Sequence, residues 1–203
     1  MPQRAGPRII LASASASRRA LLAAAGLTFD VQPADVDEAM VKRDALVEGV
    51  NAETAALRLA DLKAAAVARH ESDALVIGAD QILVCNGVWF DKPVDATAAR
   101  DQLRALRGRS HVLVTAVVCH QGAIRVWDYV AMPRLVMRDF SDVFLDQYLA
   151  AEGDAVISAV GAYRLEGRGI QLFDAVEGEH TAVLGLPLLP LLAFLRSIHC
   201  IPE

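Results

Sequence analysis

Ser13, Ser15, Ser17, Arg18 and Arg19 fall within seven consecutive residues. Hydroxyls and planar guanidinium forks are the side chains that hold phosphate oxygens. They follow Ile9-Ile10-Leu11, which reads as a strand, and precede Ala20 to Ala25, which reads as a helix closed by Gly26. A strand, a small-residue loop and a helix start make an anion site, because free backbone N–H groups point out of a helix N-terminus. A serine N-cap followed by two solvated arginines fits the same residues.

Carboxylates and lysines supply the rest of a phosphate chemistry. Asp80 follows the apolar run Leu75 to Ala79, which places it at or just past a strand end. Strand ends in α/β proteins open into ligand crevices, where a carboxylate can orient a water or hold a divalent ion. A turn aspartate is the alternative. Glu38 closes an acidic cluster with Asp35 and Asp37, which read as a solvated loop. Glu38 and Asp80 together could hold Mg²⁺ or Mn²⁺, which need only one or two carboxylates besides substrate phosphates. Lys63 lies four residues after Leu59 and borders an apolar helix face, where a snorkelling lysine is the common case. Lys92 precedes Pro93. Glu166 lies in the glycine-bounded loop Gly161 to Gly167, where a carboxylate can accept from N–H groups of a base edge; Tyr163 in that loop fits either a place in the core or a stack on a base. The five histidines show no zinc-ligand spacing.

The elements that must position these residues alternate as in a mixed α/β protein. Thr28 to Gln32 reads as a second strand, Asp35 to Gly49 as turn-like, and Ala52 to Arg69 as a helix with Leu59, Leu62 and Ala66 on one face. Ala74 to Gly78 reads as a buried strand. Ile82 to Cys85 and Val88 to Phe90 flank Asn86-Gly87, a strong hairpin signal. Asp95 to Leu106 reads as a helix. Val112 to Cys119 and Ala123 to Val130 surround a Gln121-Gly122 turn, and Leu135 to Met137 and Ile170 to Phe173 read as short strands. Ser141 caps a helix that ends before Gly153, and Leu188 to Ser197 is a terminal helix.

With 203 residues, 54% hydrophobic and only 5% aromatic, the chain can bury an aliphatic core in one domain. Its net charge of −5 argues against a general nucleic-acid binder, which normally carries a basic face. Cys85, Cys119 and Cys200 are few and widely spaced, as expected of reduced thiols in the cytoplasm. No signal core or membrane-length apolar stretch is present in the sequence.

The segment from Leu11 to Leu22 resembles the opening motif of the Maf family of nucleotide pyrophosphatases, S-x-S-P-R-R-x-x-L-L. Ala16 stands at the proline and Ser17 where arginine or tryptophan is frequent. Similar blocks follow in order: Ala34 to Glu38, Arg58 to Ala64, Gly78-Ala79-Asp80-Gln81, Lys92-Pro93, Gly161-Ala162-Tyr163 and Gly185-Leu186-Pro187. Asp91 replaces the glycine common before the lysine of Lys92-Pro93.

The resemblance, which spans nearly the whole chain, implies the α/β fold shared with inosine triphosphate pyrophosphatases: an elongated mixed β-sheet flanked by helices, as one domain over residues 1–203, with two lobes and a central cleft allowed. It implies hydrolysis of a nucleoside triphosphate to the monophosphate and pyrophosphate. Asp80 would be the proton acceptor, Ser13, Arg18, Lys63 and Lys92 would neutralise and position the triphosphate, and Glu38 and Asp80 would hold the Mg²⁺ or Mn²⁺ cofactor. The expected partner is the nucleoside triphosphate, with a homodimer allowed and neither nucleic acid nor membrane.

Ser17, Gln81 and Glu166 fall at positions linked to substrate choice in the family. Members acting on dTTP and UTP tend to carry Arg, Thr and Gln there, and members acting on 7-methyl-GTP tend to carry Trp, Gln and Glu. Two of three residues match the second set, so 7-methyl-GTP or another guanine-like triphosphate is the expected substrate. A dTTP/UTP pyrophosphatase, a phosphomonoesterase and a non-enzymatic nucleotide-binding division regulator are the alternatives. House-cleaning of modified nucleotides and a link to cell-division arrest are the roles the resemblance suggests.

Overall fold

A computed structural model describes residues 6–202. The chain divides into two compact units: residues up to Asp80 with Thr115–Ala131 and residues from Gly185 onward, and Gln81–Val114 with Met132–Leu184. Among the described residues no helix is long and apolar enough to cross a membrane.

In the first unit, β1 (Arg8–Leu11) pairs in parallel with β2 (Asp30–Val31) and with the start of β3 (Ala74–Cys85). Helices α1 (Ala16–Ala24), α2 (Glu38–Glu48) and α3 (Ala52–Ala68) lie between these strands in sequence. The end of β5 (Ser110–Gln121) pairs antiparallel with β6 (Ile124–Ala131). The core joins Ile9, Leu11, Leu22, Leu75 and Ile77 to Leu191 and Leu195 of the terminal helix.

Three local expectations change here. Helix α1 starts at Ala16 rather than Ala20, because Ser15 supplies the cap: its hydroxyl accepts from the Arg18 N–H at 3.4 Å. The polar run Ser17-Arg18-Arg19 hides this first turn from any apolar periodicity. The charged segment 35–49 is not turn-like but carries α2. Asp37 caps it by accepting from the Met40 N–H at 2.9 Å, and Gly49 ends it at φ 70°. Only Ala45 of this helix is buried, so it has almost no apolar stripe to read. Finally, β3 does not stop at Gly78. It continues through Asp80 to Cys85, so Asp80 sits within a strand and not at its end. A buried carboxylate interrupts the apolar run without interrupting the ladder.

In the second unit, β3 turns at Asn86 and Gly87, both at positive φ (50° and 80°), and returns as β4 (Val88–Phe90). Two consecutive positive φ values make the hairpin turn that Asn-Gly favours. Then come α4 (Ala96–Leu106), β7 (Arg134–Met137), α5 (Asp142–Glu152), three 3₁₀ turns, β8 (Phe173–Glu177) and α6 (His180–Val183). The strand expected over Ile170 to Phe173 is instead a 3₁₀ turn, Arg168–Leu172, and the strand lies one step later, antiparallel to β7. Its Asp174 and Glu177 are polar, as suits an outermost strand, and obscured it in the sequence. Leu103, Leu106, Leu113, Leu135, Tyr148 and Tyr163 form the core of this unit.

The strand order is β2-β1-β3-β5-β7-β8, with β4 on β3 and β6 on β5, a mixed sheet with helices as the sequence implies. Helix α7 (Leu188–Ser197) matches its expected bounds.

Candidate active site

Helix α3 approaches β3 closely enough to meet its backbone, and this contact builds the site. A Cβ at Gly78 would lie 2.2 Å from the Ala60 carbonyl oxygen and 2.7 Å from the Ala64 nitrogen. Only glycine admits that approach, and a glycine inside a strand is its sequence signal. Residues two apart on a strand share a face, and residues three apart on a helix are neighbours. Gly78 against Ala60 therefore sets Asp80 against Lys63. The Lys63 ammonium donates to Asp80 Oδ1 at 2.7 Å.

Lys63 does not border the apolar face of α3 but lies within it. The buried residues of the helix include Ala56, Leu59, Ala60, Lys63, Ala64 and Val67, whereas Leu62 is 40% exposed. The face is rotated from the expected one because alanine, not leucine, meets the strand. Glu38, in the first turn of α2, reaches the same ammonium from the solvent side: Lys63 Nζ lies 2.7 Å from Glu38 Oε1. Two carboxylates thus converge on one cation, with Asp80 buried and Glu38 half-exposed. Asp80 Oδ2 is buried and accepts no hydrogen bond, so one acceptor of the carboxylate is left unused.

Ser13 and Arg18 complete this group. Ser13 lies in the loop after β1 and is buried, as is Arg18 in the first turn of α1. The Arg18 guanidinium donates to Ser13 Oγ (3.1 Å), the Ala79 carbonyl (2.8 Å) and the Gly185 carbonyl (2.8 Å). Burial lowers the Arg18 pKa from its ordinary value, and the negative charges of Asp80 and Glu38 oppose that shift. Its carbonyl partners carry no side-chain signal, so sequence patterns could not reveal them. The Gly185 carbonyl, in the turn before the last helix, is one of them.

Glu38 and Asp80 suit a hard divalent cation. Two carboxylates already share one positive charge, and the orphaned Asp80 Oδ2 can accept another ligand bond. Among the described residues no group of three or more His, Cys, Asp or Glu side chains gathers as metal ligands. The protein would thus offer a cation few ligands and leave most positions to water and phosphate oxygens.

A family model described as Maf-like protein matches residues 8–198. The chain belongs to the Maf-like family. It is 53% identical over 190 residues to a nucleoside triphosphate pyrophosphatase of Granulibacter bethesdensis, covering 94% of this chain and 96% of that one. It is 53% identical over 191 residues to a nucleoside triphosphate pyrophosphatase of Gluconobacter oxydans, covering 94% of each. It is also 45% identical over 195 residues to a 7-methyl-GTP pyrophosphatase of Rhizobium meliloti, covering 96% of this chain and 98% of that one.

The remaining family positions of this Maf-like protein are Ser17, Gln81, Lys92 and Glu166. Ser17 is partly buried in the first turn of α1. Gln81, Lys92 and Glu166 belong to the second unit. The Gln81 amide donates to the Ala182 and Val183 carbonyls at 3.0 and 3.2 Å, which fixes its orientation. Lys92 is exposed beyond β4, and Glu166 is exposed and accepts from Arg164 Nε at 3.4 Å. Tyr163 is buried, which favours the core over a stack on a base, and its hydroxyl lies 2.8 Å from His111 Nε2.

Proposed function

We propose that this Maf-like protein hydrolyses a nucleoside triphosphate to the monophosphate and pyrophosphate. The convergence of Glu38 and Asp80 on the Lys63 ammonium, with one Asp80 oxygen unpaired, carries the reading. The names of its relatives favour the same chemistry.

Water attacks the α-phosphorus, an O–P bond forms, and the bond from the α-phosphorus to the bridging oxygen breaks. Asp80 takes the proton from the water, and the electron pair of the broken bond leaves on pyrophosphate. Lys63, released from its carboxylates by the incoming anion, and Lys92 neutralise phosphate oxygens, while Ser13 donates its hydroxyl. General-base action of this kind contributes about 10²–10⁴-fold, and positioned charge supplies the rest. A Mg²⁺ or Mn²⁺ held by Glu38 and Asp80 would add Lewis-acid stabilisation of the leaving group.

The base is guanine-like in this reading. An ionised Glu166 can accept from both N1–H and the exocyclic amine of guanine, whereas uracil and thymine offer one N–H between repelling carbonyls. The relative named a 7-methyl-GTP pyrophosphatase is consistent with this choice. Incubation of the purified protein with canonical and modified triphosphates and Mg²⁺ or Mn²⁺ should release pyrophosphate, fastest from 7-methyl-GTP or another guanine nucleotide. Release of orthophosphate would instead favour a phosphomonoesterase, and no turnover by folded protein would leave only a binding role.

A further inference from the structure

We propose that Arg18 is a positioning residue for Asp80 and not a ligand of the triphosphate. The inference rests on the pyrophosphatase reading above. Strand β1 pairs with β3 only as far as Leu11 opposite Ile77, and the last bond beyond it runs from the Ala12 N–H to the Ile77 carbonyl at 2.8 Å. Carbonyls two residues apart on a strand face the same side, so the Ala79 carbonyl points to where β1 has already ended. A buried carbonyl there needs a donor. Arg18 NH1 provides it at 2.8 Å, and the guanidinium thereby continues the ladder by one step.

The peptide plane so held joins Ala79 to Asp80, which fixes the direction in which the Asp80 side chain leaves the strand. Arg18 Nε anchors the other end of the fork to the Gly185 carbonyl at 2.8 Å, and Ser13 Oγ takes a further NH1 hydrogen at 3.1 Å. A guanidinium grips a phosphate through a pair of adjacent N–H groups. Both of its pairs here include a nitrogen already committed to protein oxygen. The turn at Gly185 is shaped to this purpose: φ is +101°, and a Cβ there would stand 3.4 Å from Arg18 Nε.

The test separates positioning from phosphate binding. Turnover by wild type, Arg18→Lys, Asp80→Asn and the double variant is compared, with binding of α,β-methylene GTP measured by calorimetry. Arg18→Lys should lower kcat about 10–100-fold, the range expected when a catalytic group is misplaced by an ångström. Affinity for the analogue should stay within about twofold, and in the Asp80→Asn background the same change should cost less than about twofold in kcat. Arg18→Gln, whose amide can still reach one carbonyl, serves if the lysine variant melts, with the same expected split. An affinity loss of about tenfold or more, or an equal kcat loss in both backgrounds, overturns the proposal. An inactive wild type overturns the pyrophosphatase reading and this role with it.

Discussion

Two polar clusters, one ion-paired and one neutral, meet burial in different ways. In the first unit, buried Lys63 is ion-paired with buried Asp80 and half-exposed Glu38, and one Asp80 oxygen is left without a donor. In the second unit, His111 and Tyr163 meet at 2.8 Å beside Phe173, whose ring packs edge-on against Tyr163 at 4.8 Å. There burial pushes the His111 pKa down to about 4 and the Tyr163 pKa well above its ordinary value, so both stay neutral. A neutral pair avoids the cost of burying a charge, although His111 Nδ1 is also buried without a partner. A charged group with a spare acceptor is harder to bury and is held in place only by its partners. The contrast suits the histidine cluster to stability and the lysine cluster to the chemistry proposed above.

The most severe way to break the contrast is to remove Lys63. Lys63→Met leaves the buried Asp80 carboxylate without its ammonium and should destabilise by about 3–5 kcal/mol in urea unfolding. Adding Asp80→Asn should recover at least half of that loss, because no buried charge then remains unpaired. Equal stability of Lys63→Met and wild type would place the pair at the surface in energetic terms.

The histidine cluster is sharpened by pH. Its folded pKa of about 4 lies below the ordinary 6.5, so between these values the unfolded chain binds a proton that the folded chain does not. The contribution is complete above pH 6.5, declines as pH falls toward 4 and is flat below. Its full size is roughly 3 kcal/mol. Urea unfolding of wild type and His111→Gln across this range should differ by that slope, while other groups cancel. Parallel pH curves for the two proteins would show that His111 protonates as readily folded as unfolded.

Activity should respond at Asp80 with little change in fold. Asp80→Asn keeps the shape and removes the base, and turnover should drop at least about 10²-fold. Its melting temperature is measured alongside, and near-normal turnover would remove Asp80 from the chemistry. The smallest effect concerns choice of base. Glu166→Gln replaces one acceptor with a donor and should narrow the ratio of kcat/KM for guanine over uracil nucleotides by roughly 10-fold. An unchanged ratio would shift base recognition away from Glu166.

Much of the fold is legible in the sequence. The hairpin at Asn86-Gly87, the Ser141 cap and the terminal helix each have local chemistry that the neighbouring residues spell out. Helix α2 did not, because its packing buries little beyond Ala45 and leaves no periodic stripe. The sequence places the end of β3 too early, because a charged residue inside a strand looks like the edge of one.

The sequence by itself determined which groups are available: two carboxylates, two lysines, a serine-arginine helix start and the family they resemble. Residue types and order suffice for that, since the chemistry of a side chain travels with it. Tertiary structure alone decided how those groups are used. Gly78 admits α3 to within backbone contact and so sets Lys63 against Asp80, seventeen residues away in sequence. The end of β1 leaves the Ala79 carbonyl without a strand partner, and Arg18 takes its place. Both outcomes depend on where main-chain carbonyls lie after packing, and every residue of a sequence carries the same carbonyl.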